Sequence, residues 1–315
     1  VSKPKLSSIL RILISLSLLA LLFWLARDNF TKIRQLISSV NIVVFALAFL
    51  IFILGVVLLA WRLQVILAGQ DAFLSLRDLF PLTLIGYFFT NFMPTSVGGD
   101  LVKAHYISKK NNRRLSAYTS VFVDRVIGMF SVALIASIAL LITREGIGHR
   151  FIFWSIIFLL GSCSLFALSL FQKNLLKKIS STLGLVRLAQ TLRIDLPIKK
   201  AYNALTIYTT RKDLIAKALI LSVVAQFITF GAIFFLAKSL MVCLPFARIL
   251  LVMPVIFVLC MLPVTMNGLG LREWGFVLFL APTIGEAAAL SLSLLYLAVF
   301  LLASLIGGII YLFWR

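Results

Sequence analysis

The stretch LFPLTLIGYFFTNFMPTSVGGDLVKA, Leu79 to Ala104, decides how the rest of the chain is read. From Leu79 to Met93 it carries no charge. Pro94, the adjacent Gly98 and Gly99, and Asp100 then follow within seven residues. Proline lacks a backbone donor and its ring clashes with the preceding turn, so it ends a helical ladder. Glycine allows the open backbone that a restart needs. The stretch reads as an apolar helix that breaks and resumes at membrane depth.

The whole chain supports that setting. It has 315 residues, 62% hydrophobic and 13% charged, with a mean hydropathy of +1.11. A soluble domain is about 45–50% apolar and about 25% charged. The apolar runs are long and lack the period-2 alternation of a barrel, so the expected fold is an all-α, polytopic helical bundle forming one membrane domain over residues 1–315. Net charge is +20. The basic residues cluster in loops beside apolar runs, which points to anionic lipid headgroups and away from nucleic acid. Cys163, Cys243 and Cys260 sit far apart in apolar sequence, and His105 and His149 are isolated. Neither set has metal-ligand spacing, so no metal or cofactor is expected.

Six full spans are expected near residues 9–26, 40–61, 115–143, 151–171, 214–237 and 287–313, each long enough for a ~30 Å core at 1.5 Å per residue. Lys3 and Lys5 ahead of Leu10–Ala26 resemble a signal peptide, but the long run and the poor cleavage context WLARDNF favour a retained span. Lysine and arginine concentrate in 103–114 and 172–213, which places both on the cytoplasmic side of the cell membrane. Both termini are then cytoplasmic, and Arg27, Lys32 and Arg34 face outward against the rule. Segment 172–213 spaces leucines and isoleucines by two to four among basic residues. It reads as amphipathic helix on the inner leaflet or as a solvated hairpin.

A second interruption, PVTMNGLGLREWG from Pro263 to Gly275, repeats the plan of the first. Proline is followed by small and polar residues including Asn267, then Gly268 and Gly270, then a charged restart at Arg272 and Glu273. The two broken, re-entrant elements, 79–107 and 246–281, enter from opposite sides, as in a transporter with inverted repeats and discontinuous helices. A half-helix N-terminus within the bilayer offers free N–H groups and a positive dipole end to an anion such as a phospholipid phosphate. The other reading makes Asp100 only the N-cap of a helix over 101–108.

Asp124 and Arg125 lie about 14 Å into a helix counted from Leu115, near mid-membrane. Counted the other way, the 17 uncharged residues Val126–Ile142 span alone and leave the pair at the inner interface. The cavity reading has Arg125 binding a phosphate or pairing with Asp100. Arg62 beside Trp61 reads as an interfacial anchor. No P-loop, G-x-S-x-G elbow or H-E-x-x-H helix is present in the sequence, and no catalytic residue is expected.

These residues carry a resemblance. Gly98, Gly99, Asp100, Val102 and Lys103, a basic loop, then Asp124, Arg125 and Gly128, resemble the first signature of the flippase-like membrane family related to the transmembrane region of lysylphosphatidylglycerol synthase. Pro263, Gly268, Gly270, Arg272 and Glu273 resemble the second. Asp124 stands where glutamate is common, which keeps the carboxylate. The resemblance implies a bundle of roughly eight membrane segments that moves or binds a phospholipid or related polar lipid. Larger relatives append an aminoacyl-transferase domain; here Arg315 follows the last apolar run, so synthase activity is not carried over.

The leading expectation is a lipid flippase that hydrolyses no ATP. Gly98, Gly99, Asp100, Lys103, Asp124, Arg125, Asn267, Gly268, Gly270, Arg272 and Glu273 form its candidate path. Its expected partner is an anionic phospholipid or a polyprenyl-phosphate-type lipid. The alternative is a non-catalytic membrane subunit that presents lipid to a separate glycosyl- or aminoacyl-transferase. An integral glycosyltransferase would need an acidic cluster, for which Asp71 and Asp78 are the nearest candidates.

Overall fold

The computed structural model describes residues 27–93, 97–143, 211–261 and 265–314, together with 16–18, 20–22, 161 and 208. Most of the expected spans 9–26 and 151–171, most of segment 172–213, and Pro94 and Pro263 lie outside the described residues. Among those described, every regular element is helical.

After a 3-10 turn at Arg27–Asn29 come α1 (Phe30–Ser38), α2 (Ile42–Ala68), α3 (Leu76–Phe92), α4 (Gly98–Asn111) and α5 (Arg114–Thr143). The later part holds α6 (Lys212–Ser239), α7 (Phe246–Met261), a 3-10 turn at Met266–Gly268, α8 (Leu271–Ile284) and α9 (Glu286–Phe313). Among the described residues, four helices are long and apolar enough to cross a membrane: α2, α5, α6 and α9. They correspond to four of the six expected spans. The protein is therefore a multi-pass membrane protein in these four segments.

Local chemistry sets the ends. The Asn41 side chain accepts from the Val43 and Val44 amides at 3.0 and 3.1 Å and starts α2. Ser75 caps α3, its hydroxyl accepting from the Asp78 amide. Both interrupted regions are real breaks: α3 stops at Phe92 and α4 begins at Gly98, and α7 stops at Met261 and α8 begins at Leu271.

Helices α2–α5 contain 27, 17, 14 and 30 residues, and α6–α9 contain 28, 16, 14 and 28. Packing follows the same correspondence. α2 lies against α6, α3 against α9, and α7 against α5, while α4 packs on α5 and α8 on α9. Glycines bring some of these helices to backbone contact. A Cβ on Gly99 would collide with the Gly86 carbonyl and the Thr90 hydroxyl, and one on Gly307 with the Leu84 backbone.

The main core joins α2, α6, α7, α8 and α9 around fully buried Phe230 and Phe276. Tyr296 stacks on Phe257 and Phe276 and meets Phe52 edge-on. Leu50, Leu54, Leu305 and Ile309 remain exposed on long apolar helices, as a lipid-facing surface requires.

Candidate functional site: a charged cavity among the helices

A cavity of about 290 Å³ opens between the two breaks, lined from α2, α3, α4, α5, α6 and α9, and by Cys260 and Asn267 at the second break. Its charged wall is built in steps. The helix α4 starts at Gly98, so Asp100 falls in its first turn rather than at the cap; the cap residue is Val97 and no side chain caps that end. The alternative in which Asp100 only caps a helix over 101–108 is thereby set aside. The Asp100 carboxylate instead receives Lys103 Nζ at 3.1 Å and Arg125 Nη1 at 2.8 Å. The expected pairing of Arg125 with Asp100 is present.

Asp124 faces elsewhere. Its Oδ1 accepts from Arg62 Nε at 2.7 Å, and its Oδ2 lies 3.9 Å from Lys103 Nζ. Lys103 thus bridges the two carboxylates. Arg62, Lys103 and Asp124 are 5%, 7% and 6% exposed, so protein encloses each of them. Among the described residues, three cations line the cavity against two carboxylates, a surplus of one positive charge. Charges this deep are costly unless paired or turned toward a cavity, and both conditions hold here.

Arg62 corrects the reading of the sequence. It is no anchor: Trp61 is 46% exposed, whereas Arg62 turns inward. Its Nη1 also donates to Ser222 Oγ at 2.6 Å, and Ser222 is hydrogen-bonded to Ser131 at 2.7 Å. The signal was available, since a lone cation in the apolar run of α2 is expensive without a partner.

The second break has its own polar frame. Asn267 adopts φ 49°, with Gly268 at 74° and Gly270 at 82°, a left-handed path that glycine follows without steric cost. Asn267 lines the cavity, and its Nδ2 donates to Asn91 Oδ1 at 3.0 Å. Asn91 in turn donates to Ser304 Oγ at 2.6 Å. One side-chain bond therefore ties the two breaks together.

Arg272 and Glu273 sit apart from the cavity lining. Glu273 Oε2 accepts the Gly270 N–H at 2.7 Å, and its Oε1 receives Arg272 Nε and Nη2 at 3.0 and 2.6 Å. The Arg272 guanidinium also lies 5.8 Å from the Tyr296 ring centre. The pair is 6% and 1% exposed. It holds the restart of α8.

Of the expected site residues, Asp100, Lys103, Asp124, Arg125 and Asn267 come together on the cavity. Gly98 and Gly99 are buried behind it in the first turn of α4, while Gly268, Gly270, Arg272 and Glu273 shape the second break. Arg62, Tyr87, Thr90, Gln226 and Cys260 join the lining and were not expected there. Asp71 and Asp78 do not converge: Asp78 pairs with Lys110 at 2.6 Å and Asp71 approaches Arg211 at 4.0 Å. Among the described residues no group of three metal-ligating side chains is present.

Residues 8–308 match the family model described as Lysylphosphatidylglycerol synthase TM region. No curated protein matches the chain.

Proposed function

The chain belongs to the lysylphosphatidylglycerol synthase transmembrane-region family, and from that premise we propose that it takes the phosphate-bearing headgroup of a polar lipid into the charged cavity and passes it between leaflets without hydrolysing ATP. One observation carries this reading: a cavity with a surplus cation among its described lining residues, set among helices long enough to cross a bilayer. A lipid phosphate supplies the missing negative charge. Arg125 and Lys103 offer it charged hydrogen-bond donors on the cavity wall.

The route follows an inverted repeat of α2–α5 and α6–α9, supported by the matched helix lengths and reciprocal packing. Six full spans, two re-entrant elements and cytoplasmic termini complete the topology. In this arrangement Asp100 and Asp124 keep the cations spaced and oriented when the site is empty. They release donors to the phosphate when it enters. The protein acts as a carrier and not as an enzyme.

The test is leaflet exchange of an acyl-labelled fluorescent phosphatidylglycerol in proteoliposomes, read by dithionite quenching. Wild type should quench past the outer-leaflet half, and Asp100→Asn should slow the excess. Quenching held at half for folded wild type removes the translocation reading and leaves the lipid-presenting subunit.

A further inference from the structure

We propose that Tyr208 is a plug: its ring shuts the charged cavity off from the end of the bundle that carries the basic 103–114 segment, and its withdrawal opens the cavity to that end. The inference concerns access to the cavity, whatever lipid the cavity takes.

The first observation is position. Arg62 and Asp124 join α2 to α5 on the cavity wall. One helical turn further toward the basic end, Ile66 follows Arg62 on α2 and Ser120 precedes Asp124 on α5. Tyr208 joins those two residues. Its hydroxyl donates to the Ile66 carbonyl at 2.9 Å and lies 3.0 Å from Ser120 Oγ. The Gln70 side chain bonds the same hydroxyl. A phenol has one proton to give; it goes to Ile66, so Ser120 donates. Tyr208 and Ser120 are both buried. The ring therefore stands in the seam between α2 and α5, next in line after the ion pair.

The second observation is the change of lining at that point. Alongside, this end of the bundle is closed by apolar packing, with Leu63, Leu67, Leu79, Leu82 and Ile107 fully buried in one cluster. Around the Tyr208 hydroxyl the walls are a serine, an amide and a carbonyl. A seam with polar walls admits water once its filler leaves, and an apolar cluster does not. Beyond the ring, Arg113 Nη1 donates to the carbonyls of Gln70 and Asp71 at 3.3 and 3.1 Å, and Arg211 stands 4.0 Å from the exposed Asp71. Polar groups thus mark the seam from the surface to the Arg62–Asp124 pair, with the ring across it.

The third observation is the seat of the ring. A Cβ on Gly69 would come within 2.9 Å of Tyr208 Cε1. Gly69 has an ordinary helical φ of −65°, so the backbone there does not call for glycine; the missing side chain is what makes room for the ring. Tyr208 precedes α6 in the chain, so it can be withdrawn without breaking α2 or α5.

The experiment is thiol labelling of the full chain in sealed membrane vesicles. In a Cys163→Ser, Cys243→Ser, Cys260→Ser background, Thr83→Cys puts the one thiol on the cavity wall. Lys109→Cys in a parallel sample, at an exposed position, identifies the face that carries the basic segment. A membrane-impermeant anionic methanethiosulfonate is added to that face. The cavity thiol should react slowly while Tyr208 is present and about tenfold faster with Tyr208→Ala, because labelling follows the open fraction. Gly69→Ala evicts the ring and leaves Tyr208 in the chain, and should have the same effect; it decides the matter where Tyr208→Ala does not fold. Tyr208→Phe keeps the ring and should stay within about twofold of wild type. A tyrosine that only packs and caps α2 would lower the thermal midpoint in these variants without changing the labelling. Unchanged labelling in the folded variants therefore overturns the proposal. So does a cavity thiol that already reacts as fast as Lys109→Cys, or a Tyr208→Phe variant as open as Tyr208→Ala. The labelling needs no lipid movement, so its failure and the failure of leaflet exchange are separate results.

Discussion

Arg62 and Asp124 stand 62 positions apart in the chain and 2.7 Å apart in space, each with its side chain more than nine-tenths buried. This pair joins α2 to α5 inside the bundle. Breaking a buried pair by removing one partner costs about 3–5 kcal/mol, because the other charge is left uncompensated. Replacing both with apolar residues costs much less. Arg62→Leu alone should therefore lower the thermal midpoint in detergent more than Arg62→Leu with Asp124→Leu. Additive losses in the double variant would show that the charges do not act as a pair.

Gly99 tests the backbone contact between α3 and α4. An alanine methyl there meets the Gly86 carbonyl and the Thr90 hydroxyl with no room to shift. Overpacking of this kind costs about 1–3 kcal/mol. Gly231, inside α6, has nothing among the described residues within 4 Å of the same position. There alanine should stabilise by roughly 0.5–1 kcal/mol through reduced backbone entropy. Thermal unfolding of the two variants should move in opposite directions, and a matching fall in both would count against the close approach.

Glu273 holds the second break without touching the cavity. Glu273→Gln keeps an acceptor for the Gly270 N–H but leaves the buried Arg272 without its counter-charge. Stability should fall by about 3 kcal/mol or more. Lipid binding by the folded fraction, measured well below the midpoint, should match wild type. A loss of binding at full folding would place Glu273 on the lipid path instead.

Asn91 is the link between the breaks. Asn91→Ala removes partners from both Asn267 and Ser304, and unsatisfied buried groups cost about 1–3 kcal/mol. Hydrogen exchange at Met266–Gly270 should accelerate in this variant while α2 and α6 keep their protection. Unchanged exchange at the second break would mean that the asparagine bond carries no constraint.

The sequence made the breaks legible because proline, paired glycines and a charge are rare in apolar runs. Four spans were legible by length and hydropathy alone. The charged cluster was only half legible. Asp124 and Arg125 are neighbours, yet one meets Arg62 and the other meets Asp100. Successive residues on a helix point about 100° apart, and only the packing of α2 and α4 on α5 shows where each direction leads. Arg62 failed for the same reason: its neighbour Trp61 faces outward, and Asp124 is remote in sequence. Arg272 and Glu273 looked like Asp100 by motif. Their mutual bonding, which takes them off the cavity, depends on the backbone turn at Gly270.

The contact at Gly99 has a bearing on what the cavity admits. Gly86 and Thr90 belong both to that contact and to the cavity wall, and the Thr90 hydroxyl is itself bonded to the Gly86 carbonyl at 2.8 Å. The separation of α3 and α4 beside Asp100 is thus held in part by main-chain atoms. Side-chain exchange can retune which chemistry the wall greets. Its gauge at the glycine contact changes when α3 and α4 move apart, so widening there calls for motion of whole helices.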